Sequence, residues 1–197
     1  MSVVPLELCY DPDPAVWLVG PTPPHRPYEE WLPGAVEVTS EGFEAKSEEA
    51  RSYILAVLER FGTDESMQLS EKMLRWRTIT EVPLPFWFGM VPRDEVPPED
   101  VEFFLAAENE PLVEPAMVDD VEARAGASLR RGLAYSTHPD GITVSVRYVL
   151  DDGHPDVMVL GYTAADAPGR LIAAFDDMEE LLRTVEVKGR LVGAGRE

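Results

Sequence analysis

The stretch that decides the fold runs from Ile142 to Thr163 and reads ITVSVRYVL over 142–150, DDGHP over 151–155 and DVMVLGYT over 156–163. The two outer segments are rich in β-branched and aromatic residues, which favour strands. The middle segment consists largely of residues that favour turns. A helical pattern starts at Asp166 immediately afterwards. This order of strand, turn, strand and helix predicts a chain of mixed α and β structure.

Two helices are predicted from apolar residues that recur at intervals of three and four. Over 47–61, Ser47 can cap the first turn and Gly62 can stop the helix. Over 166–182, Asp166 is the expected cap, and the buried stripe comprises Leu171, Ile172, Phe175, Met178 and Leu182. We therefore expect an α+β fold, with a mainly antiparallel sheet and these helices packed on it.

The remaining elements are weaker predictions, and the chain is expected to form a single domain over 1–197. Prolines at positions 21, 23, 24 and 27 predict an irregular, proline-rich loop over 20–34, and glycines predict a loose tail over 189–197. Residues 118–127 fit either a helix or a strand. Further strands are expected over 3–10, 15–19, 74–79, 132–137 and 185–187, and helices over 64–73 and 97–107.

Charge limits the partners that this chain can have. Seventeen basic residues stand against 37 acidic ones, which gives a net charge of −20. Such a surface repels phosphate backbones and anionic lipids, so we expect no nucleic-acid and no membrane partner. The scarcity of lysine relative to arginine suggests a GC-rich bacterial coding sequence. Cys9 is the single cysteine, and the first residues lack a signal-peptide pattern, so the expected location is the cytoplasm.

No residue pattern predicts a catalytic, cofactor or metal site. The histidines of His138-Pro139-Asp140 and His154-Pro155-Asp156 are separated by the strand 142–150, whose ends lie roughly 30 Å apart. They are therefore expected to mark two turns and not one metal site. The carboxylates at 176, 177 and 180 are expected to face water. Phosphate-loop, dinucleotide and nucleophile motifs are absent from the sequence.

An aromatic stretch gives the candidate binding residues. Pro83 to Val91 is the most apolar segment, and its prolines predict an edge strand or an extended loop. Phe86, Trp87, Phe88 and Met90 would form an interaction edge there, with Trp87 turned outward if its two neighbours face the core. The alternative is that another segment covers Trp87.

The hairpin 142–163, followed by a helix with Phe175 near its middle, resembles the closing half of the PsbP-like α/β/α sandwich family. The likeness covers about the last quarter of the chain. It implies a binding or assembly module and not an enzyme.

Two hypotheses about function remain open. The first is a non-enzymatic module that binds a protein partner or associates with itself, without a cofactor. The second is a small-molecule-binding protein or unusual hydrolase, with a pocket between sheet and helices lined by Trp76, Tyr148 and Tyr162.

Overall fold

A computed structural model describes residues 5–22, 25–65, 67, 69–139 and 141–189 of the chain. It divides into two compact units, which we call the N-terminal unit (13–88) and the C-terminal unit (1–12 and 89–197). In chain order the elements are β1 (Glu7–Cys9), β2 (Trp17–Val19), α1 (Tyr28–Gly42), α2 (Glu48–Gly62), β3 (Glu71–Arg75), β4 (Leu84–Pro92), α3 (Pro98–Leu105), β5 (Met117–Val121), β6 (Ser128–His138), β7 (Gly141–Asp151), β8 (Val157–Ala165), α4 (Pro168–Ile172), α5 (Phe175–Thr184) and β9 (Glu186–Lys188).

The predicted α+β class with an antiparallel sheet is confirmed. Strands β2 to β8 belong to one seven-stranded sheet, and β1 pairs with β9 in a separate two-stranded sheet. Strand β4 begins in the N-terminal unit and ends in the C-terminal unit. The single-domain boundaries stay a prediction. Apart from Gly189, the predicted tail 189–197 lies outside the described residues.

In the N-terminal unit, the strand order is β2-β3-β4, and helices α1 and α2 cover one face. Leu18 and Leu74 lie opposite each other in the β2–β3 register and both pack into the core of these helices. That core contains Trp31, Ile54 and Leu58, all buried. The predicted helix 47–61 is confirmed, since the Ser47 side chain accepts a hydrogen bond from the Ala50 N–H at 3.1 Å.

Helix α1 corrects the predicted loop over 20–34, because residues 28–34 are helical. Trp31 and Ala35 are buried one turn apart, whereas Pro33 lies on the exposed face. Burial of this apolar stripe outweighs the hydrogen bond that Pro33 cannot donate. The predicted helix over 64–73 is also wrong, since residues 71–75 are extended and pair with β2 and β4 as strand β3.

In the C-terminal unit, the strand order is β4-β8-β7-β6-β5. The predicted hairpin is confirmed, since β7 pairs with β8 in antiparallel register from Val144↔Ala165 to Leu150↔Val159. Residues 117–121 form strand β5, which settles the ambiguity over 118–127 in favour of a strand. Helix α3 contributes Val101, Phe104 and Leu105 to a core with Val149 and other residues of the sheet.

The predicted last helix is two helices, α4 and α5, separated at residues 173–174. The residue that precedes α4 is Ala167, so Asp166 is not the cap. Leu171, Met178 and Leu182 are buried as expected, whereas Ile172 is half exposed. Asp177 is buried, which corrects the expectation that it faces water.

Candidate functional site

Strand β4 is not an edge strand, which corrects the prediction from its prolines. It pairs with β3 over residues 84–88, and in the C-terminal unit it is the neighbour of β8. The four predicted binding residues therefore lie in the interior of the sheet: Phe86, Trp87 and Phe88 are buried, and Met90 is half-buried. The prediction that these residues bind a partner stays a prediction.

The two tyrosines of the predicted pocket of Trp76, Tyr148 and Tyr162 do not line one pocket. Tyr148 is opposite Gly161 in the β7–β8 register, and Tyr162 is opposite Arg147. Because side chains alternate along a strand, the two rings lie on opposite faces of the sheet. Burial raises the pKa of Tyr148 far above its usual range. Trp76 belongs to the N-terminal unit.

The two histidines lie at opposite ends of β7, as expected. His138 is opposite Gly141 where β7 begins, and His154 follows Asp151 where β7 ends. Asp140, from the first tripeptide, lies outside the described residues. Within the described ranges, no group of three or more His, Cys, Asp or Glu side chains is arranged to hold a metal ion.

Two arginines of the C-terminal unit, the buried Arg147 and the half-buried Arg131, carry paired charges. The Arg147 side chain is 4% exposed, forms an ion pair with Glu110 and lies over the rings of Phe104 and Tyr162. Arg131 donates to Glu179 at 2.7 Å on the other face. Each guanidinium is neutralised by its own carboxylate, so both clusters are suited to holding loops and helices on the sheet.

A large open groove lies in the N-terminal unit between β2 and α1, and we call it the β2–α1 groove. Its volume is about 760 Å³. One wall is residues 15–19, and the other is the face of α1 that includes Gly34, Val38 and Gly42. Val38 is 63% exposed, and a Cβ built on either glycine would meet no atom within 4 Å. The groove is thus a trough with an apolar wall and no side chains at two of its positions.

The strand wall of this groove is a sheet edge. Just outside β2, Gly20 N–H donates to Lys72 C=O and Val16 C=O accepts from Trp76 N–H. The backbone groups of even-numbered residues along this segment therefore point toward β3. The backbone groups of Trp17 and Val19 therefore point to the edge. Trp17 N–H donates to Asp13 C=O, and Val19 C=O accepts from the Trp31 indole at 2.7 Å. Trp17 C=O and Val19 N–H have no partner within the part of the chain that the structure describes.

A cation lies where β2 leads into α1. Arg26 is exposed and lines the groove, and its Nη2 donates to the carbonyls of Val19 and Gly20 at 3.1 and 2.6 Å. Both Nη2 hydrogens are used there, while Nη1 and Nε have no partner among the described residues. Glu30 also lines the groove, so this end of the groove carries charges of both signs.

Sequence reasoning missed this groove because it assigned residues 28–34 to a loop. The available signal was the spacing of Gly34, Val38 and Gly42, which places them on one face once α1 is recognised as a helix. The neighbouring stripe of Trp31 and Ala35 would have identified that helix.

The fold is that of an α+β protein with a seven-stranded antiparallel sheet. Among solved structures, it is similar to that of LpqN, described as involved in cell envelope biogenesis of Mycobacterium tuberculosis. The TM-score is 0.51 at 9% sequence identity, over 93% of this chain and 84% of LpqN. At this identity the likeness concerns the fold. No family model matches the chain, nor does any curated protein sequence.

The likeness to LpqN does not test two of the predictions made from the sequence. It does not concern the PsbP-like family, so that resemblance stays a prediction. The cytoplasmic location also stays a prediction, because a likeness of fold at 9% identity does not bear on location. Within the described ranges, each helix is too short or too polar to cross a bilayer.

Proposed function

We propose that this chain is a non-enzymatic binding protein that takes a protein partner in the β2–α1 groove. The observation that carries the proposal is the combination of an open apolar trough on α1 with unpartnered backbone groups on the facing edge of β2. Sheet edges with free backbone groups are a common means of binding polypeptides. The description of LpqN supports a setting at the cell envelope for this role.

A small-molecule ligand is the second candidate, because the volume of the groove lies in the range of ligand pockets. The backbone groups at the β2 edge favour a polypeptide, since a polypeptide supplies matching N–H and C=O groups at the spacing of a strand. A variant that fills the trough tests both candidates together.

The test replaces Gly34 with leucine. The new side chain would project into the trough, where its Cβ meets nothing within 4 Å. Leucine also suits the interior of α1 better than glycine by roughly 0.5–1 kcal/mol. The matched control is Gly169→Leu in α4, where a Cβ likewise meets nothing within 4 Å.

The assay begins with proteins recovered from the native host by the tagged full chain and its two variants. Each candidate is then purified and titrated by calorimetry, and the chain's own mass is measured in solution. We expect a purified partner to bind wild type and G169L, and to lose at least tenfold in affinity with G34L. Equal affinity for G34L would refute the proposal. A small molecule retained by wild type and lost with G34L would replace it with the second candidate.

A further inference from the structure

Strand β5 is the last strand of the sheet in the C-terminal unit, and its first four residues are exposed. Its neighbour β6 pairs residue by residue with β7, without a bulge, over 128–138. On the other side of β6, Val113 N–H donates to Tyr135 C=O, and Thr137 N–H donates to Pro111 C=O. Because backbone groups alternate along a strand, the odd-numbered residues of β6 point their N–H and C=O groups toward β5.

The same alternation identifies the free backbone groups of β5. Residues 117, 119 and 121 lie opposite odd-numbered residues of β6, so these pairs hydrogen-bond with each other. Val118 and Asp120 therefore direct their N–H and C=O groups away from β6. None of these four groups has a partner among the residues that the structure describes, and we call them the β5 edge. Such a row of free groups is a template for a further strand.

A second copy of this chain is poorly suited to the β5 edge. In an antiparallel pair of copies centred on Asp119, that carboxylate lies opposite its counterpart, and a pair centred on Asp120 does the same for Asp120. Like charges directly opposite each other destabilise a strand pair. A register centred on Val118 avoids this contact, but two copies that each carry a net charge of −20 still repel each other. The charges therefore favour a basic partner over a second copy.

Asp120 carries a negative charge that its own sheet compensates only weakly. Its side chain is 94% exposed, and its Oδ1 lies 3.9 Å from Arg130 Nε. The same guanidinium is held by Glu102, to which Nη1 and Nη2 donate at 2.5 and 3.0 Å. One cation thus faces two carboxylates, and a Lys or Arg opposite Asp120 would balance the excess charge. On the other face of the strand, Asp119 already accepts from Arg131 at 3.3 Å, so it adds no such requirement.

Val118 determines the second side chain of the partner. It lies opposite Gly132, where an added Cβ would contact the Leu105 carbonyl, so the Val118 and Asp120 side chains are on the face that α3 covers. Val118 is 38% exposed, and α3 exposes Phe103. Paired residues of adjacent strands point to the same face of a sheet. An apolar side chain opposite Val118 would therefore remove apolar surface from water.

We propose that the β5 edge is a second docking surface, which takes an extended segment of a basic partner protein as an added strand, with an apolar residue opposite Val118 and Lys or Arg opposite Asp120. This inference goes beyond the proposed function, since it concerns a different unit of the chain and a partner of stated charge. The free backbone groups hold the segment, and Asp120 selects its charge.

The experiment selects a random linear peptide library, displayed on phage, against the full chain. Enriched peptides are synthesised and titrated by calorimetry against wild type, Asp120→Asn and the control Asp94→Asn. Asp94 is an exposed carboxylate that follows β4, which is four strands from β5 in the strand order. We expect the enriched peptides to contain an apolar residue and a Lys or Arg two positions apart.

The affinities test the pairing with Asp120. D120N should weaken binding about two- to fivefold, as for an exposed ion pair, and D94N should leave it unchanged. The loss with D120N should vanish when the basic residue of the peptide is replaced by glutamine, because the two charges then no longer interact. Equal affinity for wild type and D120N, or enrichment of peptides without a basic residue, would overturn the inference.

N-methylation of the peptide tests strand addition without any change to the protein. An added strand directs every second N–H toward β5. Methylation should therefore weaken binding roughly tenfold at alternate positions and have little effect at the positions between them. Equal tolerance of methylation at all positions would refute strand addition.

The remaining outcomes separate this inference from the proposed function. Failure to enrich any peptide would overturn the inference, and so would enriched peptides that all lose affinity with G34L and none with D120N, since these bind the β2–α1 groove. A wild-type dimer in solution that Val118→Pro converts to a monomer would make a second copy the occupant, and would overturn it as well. The proposed function is decided by purified partners and G34L, so each can fail without the other.

Discussion

Gly132 on β6 is the position where a single methyl group should do most damage to the C-terminal unit. A Cβ added there would lie 2.0 Å from the Leu105 carbonyl oxygen and 2.8 Å from its carbon. Ordinary contacts between non-bonded heavy atoms are about 3.5–4.0 Å, so Gly132→Ala must push the end of α3 away from the sheet by more than about 1 Å.

The cost follows from what α3 buries. Leu105 is fully buried and packs against Val149 and Met158. Burial of a leucine side chain contributes about 1.5–3 kcal/mol, and forcing extra volume into a packed core costs about 1–3 kcal/mol. Part of the leucine burial is lost and the full cost of the extra volume is added, so the free energy of unfolding should decrease by about 3 kcal/mol.

Urea denaturation followed by far-UV circular dichroism measures this loss. All four tryptophans, at positions 17, 31, 76 and 87, lie in the N-terminal unit, so their fluorescence reports on that unit separately. The control is Gly169→Ala in α4, which should leave stability unchanged or raise it by up to about 1 kcal/mol. A G132A protein within about 0.5 kcal/mol of wild type would refute this account of how α3 packs on β6.

Three further predictions concern stability. Trp87→Ala should lower the free energy of unfolding by about 3–5 kcal/mol in urea titrations, because Trp87 is 6% exposed; a loss below about 1 kcal/mol would show that the ring is not buried. Arg147→Met should lower the free energy of unfolding by about 3 kcal/mol, because it leaves Glu110 without its partner. Because the two partners are coupled, the double variant with Glu110→Gln should lose less than the sum of the two single losses. Strictly additive losses would show that the two side chains do not interact. Burial acts to raise the pKa of Asp151, but the hydrogen bond from the Gly153 N–H and the charge of Arg93 outweigh burial and lower that pKa. Asp151 therefore stabilises the fold at pH values above its unfolded pKa. This contribution is lost as the pH falls through the lower, folded pKa. Asp151→Asn should therefore lose less stability than wild type between neutral pH and about pH 3, measured by urea midpoints at each pH, and an equal loss would contradict this role of Asp151.

Local signals explain what could be predicted from the sequence. Strands β7 and β8 carry their own alternation and turn residues, and α2 carries a serine cap and an apolar stripe. These features act within a few residues, so they could be recognised without knowledge of the rest of the fold. The hairpin and α2 were accordingly predicted with bounds close to those observed.

Long-range packing explains which parts of the fold could not be predicted from the sequence. The prolines at 21, 23, 24 and 27 outweighed the stripe of Trp31 and Ala35 in the prediction, although the helix forms because that stripe is buried against α2 and β3. Similarly, the prolines of β4 suggested an edge, but the strand is paired on both sides. In both cases burial of apolar side chains overrides a local backbone preference.

The β2–α1 groove shows why a candidate site can lack any sequence motif. Its features are backbone groups of Trp17 and Val19 and the missing side chains of Gly34 and Gly42. A carbonyl oxygen at an edge has no sequence signature, and a glycine on a helix is ordinarily a weakness of that helix. Two exposed glycines on α1 cost helix stability without relieving a close contact, since a Cβ at either would meet nothing within 4 Å. That cost has a physical reason if a side chain from a partner occupies the space, as the proposed function of the groove requires.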